Sequence, residues 1–383
     1  MEPGQMNQNR ILRAAILSLP MLALTAAVLS GGAIPQDLPH RAALVLTWTT
    51  FNSVFFLMLY TGQTDRWRAA LFATIAVLFV VSFMGHMLEL NAARPAFVEF
   101  AFREGMAFCP IVIPMTLIPT ALSRTIIWPG TLTGTYASIA YIFVIWLCGS
   151  LVLGRGWCAW GCFFGGWDDA FSRVLRKPVL KAPAWLRDLP FAVLIMFALL
   201  SAASLFPAYC ILLCPFKAVT ELPAGSFVNN AMLAWTYIFI FLALAAALPM
   251  LLKRRAQCAG FCPLGAFQCG ASRLTPFEVR VDGKTCTGCG ACVRVCPLLA
   301  MTEETLALGR PGARCALCGK CVDNCPRGAI SFHVKATEPG AGKETARLLF
   351  LYPAFLFLTA FGGSICMDAL ARLFLLALTG RMF

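Results

Sequence analysis

Apolar stretches close to twenty residues long recur along most of the chain, separated by short basic or Gly- and Pro-rich segments. A helix that crosses a bilayer needs about 20 apolar residues, because each adds ~1.5 Å toward a hydrocarbon core of ~30 Å. The pattern predicts spans over Ile11–Ser30, Ala42–Tyr60, Ala70–Leu90, Tyr136–Leu153, Leu189–Ala208, Ala231–Leu252 and Leu348–Ile365. Ile11–Ser30 has a rival reading as a cleaved signal peptide. Its apolar run is long for one, so we read it as a retained anchor. Phe108–Ile127 is apolar too, but Pro110, Pro114 and Pro119 break it. Broken backbone at membrane depth needs protein or a cavity beside it, which predicts a re-entrant or half-helix element on the outer side. Asp368–Leu378 is short and amphipathic and reads as a helix lying at an interface. Polar patterning takes over only at Ala256–Thr345, a soluble domain inserted between the sixth and seventh spans. Four regions follow: N-terminal helices at 1–95, a transmembrane core at 96–270, the soluble domain at 271–340, and C-terminal helices at 341–383.

Composition agrees. Of 383 residues, 59% are hydrophobic and only 13% charged, which excludes a soluble globular enzyme and a disordered chain. The net charge of +13 could suggest nucleic acid, yet no segment reads as a nucleic-acid-binding arm. About thirteen Lys and Arg, among them Arg68, Arg155, Arg173, Arg187, Lys253 and Arg255, fall in loops on one side of the predicted membrane. About five (Arg41, Arg94, Arg103, Arg124 and Lys217) fall on the other. The positive-inside rule then puts the N-terminus and the soluble domain in the cytoplasm of a prokaryotic cell, with the chain multi-pass in its inner membrane.

The core repeats itself. Gly154–Phe171 aligns with Lys253–Gly270, bringing Cys158 onto Cys258, Cys162 onto Cys262 and Gly165 onto Gly265. Upstream, Phe108-Cys109-Pro110 has a counterpart in Leu213-Cys214-Pro215. Each unit reads Cys-Pro on the outer side, a span, then Cys-x3-Cys on the inner side.

Eighteen cysteines could mean disulfides, metal or packing. The reducing side of the membrane argues against disulfides. In the soluble domain the spacing decides: Cys286-x2-Cys289-x2-Cys292-x3-Cys296-Pro is followed by Cys315-x2-Cys318-x2-Cys321-x3-Cys325-Pro. This is the two-cluster bacterial ferredoxin run, in which three thiolates come from one run and the fourth from the other. Cys286, Cys289, Cys292 and Cys325 should therefore hold one [4Fe–4S] cluster, and Cys315, Cys318, Cys321 and Cys296 a second. Phe277–Val281 and Ala329–Val334 alternate like the outer strands of such a domain.

A Cys-x3-Cys pair places two thiolates one helical turn apart, half of what a cubane needs. The repeat supplies the other half, so Cys158, Cys162, Cys258 and Cys262 are expected to hold a third [4Fe–4S] cluster at the membrane boundary, with structural zinc as the rival. Cys109, Cys210 and Cys214 fall on the outer side, where they could bind a further cluster or metal, form a disulfide or pack. Cys148 and Cys366 read as packing residues and Cys269 as a spare thiol. No Cys-x-x-Cys-His haem motif, dinucleotide fingerprint or P-loop is present. His86 and Glu89 lie three apart near the outer end of the third span, where a quinol could lose a proton.

With Gly154-Arg155-Gly156-Trp157-Cys158-x3-Cys162, Cys258-x3-Cys262-Pro263-Leu264-Gly265-Ala266 and the double run in place, the chain resembles the membrane polyferredoxins typified by NapH and the membrane half of NosR, over roughly residues 100–333. The resemblance implies electron passage between a quinone pool or cytoplasmic donor and a partner redox protein. Phe163 stands where that family usually has Pro, and the extra Cys210-x3-Cys214-Pro215 also departs from it. The expected fold class is mainly α: a polytopic helical membrane protein with a duplicated cysteine-containing core and an inserted α+β two-cluster ferredoxin domain. Its expected partners are the lipid bilayer, a redox protein or complex subunits, and quinone. The rival function is iron–sulfur maturation or redox sensing without turnover.

Overall fold

The computed structural model describes residues 3–92, 111–124, 139–218, 231–337 and 342–382. Three long helices open the chain: α1 (Pro3–Ser30), α2 (Leu38–Thr61) and α3 (Thr64–Ala92). Asp37 caps α2 by accepting from the His40 amide at 3.1 Å, and Gly62 ends it in the left-handed conformation at φ 76°. The α2–α3 turn is thereby tight, and the two helices pack together.

Next come α4 (Val112–Ser123), α5 (Ile139–Leu153) and α6 (Phe163–Phe171), with the short turns Gly154–Gly156 and Trp157–Trp160 joining α5 to α6. The run Trp146–Trp160 meets α6 at a 47° bend, centred on the first Cys-x3-Cys. Helix α4, from the Pro-broken stretch, has 12 residues and so is too short to span, as the prolines predict. It packs on α7 (Leu189–Ser204). The latter has 16 residues, about 24 Å, because Leu205 takes the left-handed conformation and ends it before the Ala208 boundary read from hydropathy. Then follow α8 (Ala231–Leu252, containing a π-helical segment at Phe241–Ala247) and α9 (Pro263–Ala271).

The inserted domain comprises β1 (Phe277–Val281), α10 (Ala291–Val295), α11 (Glu303–Ala307), α12 (Lys320–Asp323) and β2 (Ile330–Val334). The strands pair antiparallel, with Val279 opposite Phe332 and both buried. The last helix, α13 (Lys343–Thr379), runs 37 residues through a π turn at Thr359–Gly363. The sequence reading divides this stretch into a span and a separate interfacial helix. Asp368 does not break it, because Arg372 one turn on donates to its carboxylate at 3.0 Å and Ser82 of α3 donates at 2.5 Å.

Among the described residues, five helices are long and apolar enough to cross a membrane, and the bent α5–α6 pair makes a sixth. The protein is a multi-pass helical membrane protein with a small ferredoxin-like domain docked on one end. The docking is built from polar contacts. Asp323 of α12 accepts from the amides of Thr64 and Asp65 at 3.2 and 2.7 Å, capping α3 from more than 250 residues away. Arg347 of α13 closes the same corner, donating to Met58 O at 2.8 Å and Thr64 Oγ1 at 3.0 Å.

Candidate iron–sulfur centres

The two ferredoxin runs fold so that each expected set of four faces one cavity. The first cavity is lined by Cys286, Cys289, Cys292 and Cys325, with Ala329 and Ile330. The second is lined by Cys296, Cys315, Cys318 and Cys321, with Val279 and Met301. Cys325 has crossed to the first run and Cys296 to the second. Gly288, Gly290 and Gly319 adopt positive φ in these loops, which an L side chain resists and which lets consecutive cysteines turn inward. Cys289 is exposed, whereas Cys318 is buried beneath the membrane helices.

The duplicated core brings Cys158, Cys162 and Cys258 within electrostatic reach of Cys262, and all four are buried. Local geometry repeats at the shared spacing. The Cys162 amide donates to Trp157 O at 3.1 Å, and the Cys262 amide to Gln257 O at 2.9 Å. Cys162 and Cys262 each stand just before a helix, at φ −83° ψ 101° and φ −89° ψ 118°. Pro263 occupies the first position of α9, where its fixed φ suits a helix start. Its counterpart Phe163 stacks on Phe79 at 4.1 Å, exchanging preorganisation for aromatic packing on α3.

Two arginines that hydropathy counts as loop charges are at the heart of this site. Arg155 donates to Cys258 O at 3.2 Å, and Arg255 donates to Cys158 O at 2.7 Å, so each unit's guanidinium reaches the other unit's cysteine. Space for them comes from glycine. A Cβ on Gly165 would stand 2.3 Å from Arg255 Nη2, and one on Gly265 would stand 3.2 Å from Arg155 Nη2. Cys269 is not spare: it accepts from Arg155 Nη1 at 3.0 Å. Asp168 accepts from the Gln257 and Cys258 amides at 3.3 and 2.8 Å.

Whether these sets fit iron–sulfur clusters can be tested on the chemistry of the donors. Among the described residues, no three His, Cys, Asp or Glu side chains converge as ligands of a single ion would. The two ferredoxin sets, each of four cysteines around one cavity, instead suit a centre of several metal atoms. Burial, and then the Cys158 and Cys162 thiolates, push the Cys262 thiol well above its ordinary range. Burial, and then Cys315 and Cys318, do the same to Cys321. Bare thiols there resist ionisation, while bound cations favour it. Around the core set, Nε of Arg155 and both Nε and Nη1 of Arg255 are buried N–H groups without partners, as sulfur acceptors would require. The residues fit.

The three sets interlock. Trp160, between Cys158 and Cys162, donates to Leu317 O at 3.1 Å, beside Cys318. Arg314, beside Cys315, donates to Ala259 O, beside Cys258. Arg68, fully buried, donates to Ala159 O at 2.9 Å and Cys318 O at 3.3 Å, and its charge is balanced by Asp65 at 2.8 Å and Asp169 at 2.9 Å. Cys292 of the first set acts electrostatically on Cys321 of the second.

The remaining candidates fare differently. Cys210 and Cys214 are free thiols close to the core set, Cys210 within electrostatic reach of Cys262. Their neighbour Tyr209 accepts from Gln257 Nε2 at 2.7 Å, so the pair is not isolated on a far face. Cys109 lies outside the described residues. Helix α3 carries His86 about 27 Å and Glu89 about 32 Å along its axis from Arg68, and their side chains lie outside the described residues. Cys366 is buried as expected, but Cys148 is exposed on α5.

Comparison with known proteins agrees with this geometry. The 4Fe-4S dicluster domain family matches residues 285–330. Electron transport protein YccM of Escherichia coli (strain K12) is 29% identical over 177 residues, covering 44% of this chain and 48% of its own length. The methylamine utilization ferredoxin-type protein MauN of Methylobacillus flagellatus is 28% identical over 194 residues, 49% of this chain and 62% of its own. Membrane protein YhcE of E. coli K12 is 30% identical over 139 residues, 35% and 59%. The chain thus spans about half to three-fifths of these relatives. No solved structure matches. Binding of 4Fe–4S clusters in an electron-transfer protein of the membrane follows from the domain match and the company it keeps.

Proposed function

We propose that this chain acts as a membrane polyferredoxin, relaying single electrons between a cytoplasmic donor and a partner redox enzyme through three four-cysteine centres. Its similarity to a dicluster domain and to ferredoxin-type and electron-transport proteins supports the reading. The observation that carries the reading is the interlocked line of cysteine sets. The first set has the exposed Cys289, the second has Cys318 buried where the domain docks, and the third lies between the repeated units. Bound [4Fe–4S] clusters supply one-electron exchange. The chain's own residues hold the sets in contact and keep water out. Trp157 and Trp160 are both fully buried beside Cys158, Trp157 against Phe357 and Phe361 and Trp160 against Phe350.

The basic loop Lys253–Arg255 contacts the docked domain, Arg254 donating to Val293 O at 3.3 Å and the Arg255 amide to Pro297 O at 3.0 Å. This supports the domain's placement on the cytoplasmic side of a prokaryotic inner membrane. A donor there meets Cys289 directly. A quinol at His86 and Glu89 would instead act from the far end of α3, so the cytoplasmic donor is the favoured reading.

Anaerobic iron analysis and stopped-flow absorbance test it. Wild type should carry about twelve irons per chain, and a Cys158→Ala, Cys258→Ala double variant about eight. A low-potential soluble donor should reduce the wild-type clusters to stoichiometry. Reduction by quinol alone, lost in His86→Ala, would move the donor to the far end of α3. Clusters inert to both donors would refute a relay.

A further inference from the structure

Arg155 and Arg255 are 1% and 0% exposed, yet neither forms an ion pair among the described residues. The carboxylates of Asp168 and Asp169 act on Arg255 only from beyond ion-pair distance, and Asp168 is already engaged by the Gln257 and Cys258 amides. An isolated buried cation is strongly disfavoured, so a counter-charge belongs beside these guanidiniums. The thiol of Cys258 lies 3.3 Å from Arg255 Nη2, and the thiol of Cys269 3.0 Å from Arg155 Nη1. Both arginines also keep unpartnered N–H groups within the cysteine-lined interior. Their carbonyl contacts cross between the units, which fixes each planar fork in place.

We propose that Arg155 and Arg255 are the built-in counter-charge of the core centre, and that they set its reduction potential by positive charge and by N–H donation to sulfur. This rests on the three-centre reading. A cluster held by four thiolates is anionic and gains one more negative charge on reduction. Two fixed cations favour the reduced form, and removing one disfavours it. Cluster potentials respond to net charge and to hydrogen bonds at sulfur. Arg155 also acts electrostatically on Cys315 of the second ferredoxin set, so its removal should shift that centre slightly as well. The effect of Arg255, whose charged neighbours include Cys258 and Cys158, falls on the core centre.

The test is a potentiometric titration, followed by electron paramagnetic resonance, of the full-length protein in detergent, with iron counted in the same samples. The variants are R155Q, R255Q, R155K and R255K. R255Q should retain the two ferredoxin signals unchanged, and R155Q should shift the second ferredoxin midpoint by less than it shifts the core centre. The third midpoint should move to more negative potential by at least a tenfold change in equilibrium constant, 59 mV for one electron. The lysine variants, which keep charge but lose the fork, should shift it less. If a glutamine variant instead loses about four irons, restoration in the lysine variant supports the proposal. Failure of lysine to restore loading would overturn the charge role. Unshifted third midpoints in both glutamine variants would overturn the proposal while leaving three centres standing. Wild type with about eight irons and no third signal would overturn the three-centre reading itself, and the proposal with it.

Discussion

Arg68 carries the seam between the ferredoxin domain and the membrane core, and its removal should open that seam. The guanidinium is wholly buried and makes four hydrogen bonds, two to carboxylates and two to backbone carbonyls from different cysteine loops. Arg68→Met keeps much of the aliphatic volume but leaves Asp65 and Asp169 with Arg173 as their remaining ion-pair partner, at 2.8 and 3.3 Å. Breaking a buried charge pair by removing one member costs about 3–5 kcal/mol. The Ala159 and Cys318 carbonyls lose a donor as well, so the upper part of that range is expected. At 1.4 kcal/mol per decade, the seam should open about a thousand to a few thousand times more often. Hydrogen–deuterium exchange reads this directly, as faster exchange at 159–162 and 316–320, with β1 and β2 protected as before. The triple variant Arg68→Met, Asp65→Asn, Asp169→Asn removes the orphaned charges and should recover part of the protection. Acceleration of less than about tenfold in the single variant would refute the assignment. So would a triple variant that exchanges as fast as the single one.

Gly165→Ala should cost about 1–3 kcal/mol, because its Cβ would meet Arg255 Nη2 at 2.3 Å and Cys158 O at 2.6 Å. Gly270→Ala, with nothing within 4 Å, should be neutral or slightly stabilising, and thermal unfolding of both in detergent checks the contrast. Asp323→Ala removes the cap shared by the Thr64 and Asp65 amides and should destabilise by about 1 kcal/mol, measured by denaturant unfolding.

Much of the site was legible because ligand chemistry imposes spacing. The double ferredoxin run predicted the exchange of fourth cysteines between two sets, and the structure arranges the eight thiols around two cavities in that grouping. Period-two alternation found β1 and β2 to within a residue. The buried arginines were illegible for a physical reason. A Lys or Arg between two apolar runs looks the same whether it meets lipid headgroups or folds back beneath a neighbouring loop. What separates the cases for Arg68, Arg155 and Arg255 is a partner about ninety to 250 residues away. Hydropathy failed similarly at Asp368, where it records a charge but not the Arg372 and Ser82 groups that let the helix continue.

The cap that Asp323 places on α3 also sets a timetable. A ribosome adds about 5–20 residues each second, so roughly 13–50 s separate the synthesis of Asp65 from that of Asp323. Through that interval the first turn of α3 has its amides exposed at the membrane surface, and Arg347, which closes the same corner, arrives later still. The N-terminal helices can insert early, but they lock only once the cysteine-rich domain has folded. A chain whose domain fails to fold should therefore remain loose at the α2–α3 turn, open to proteases that survey the membrane and distinguishable by them from the finished protein.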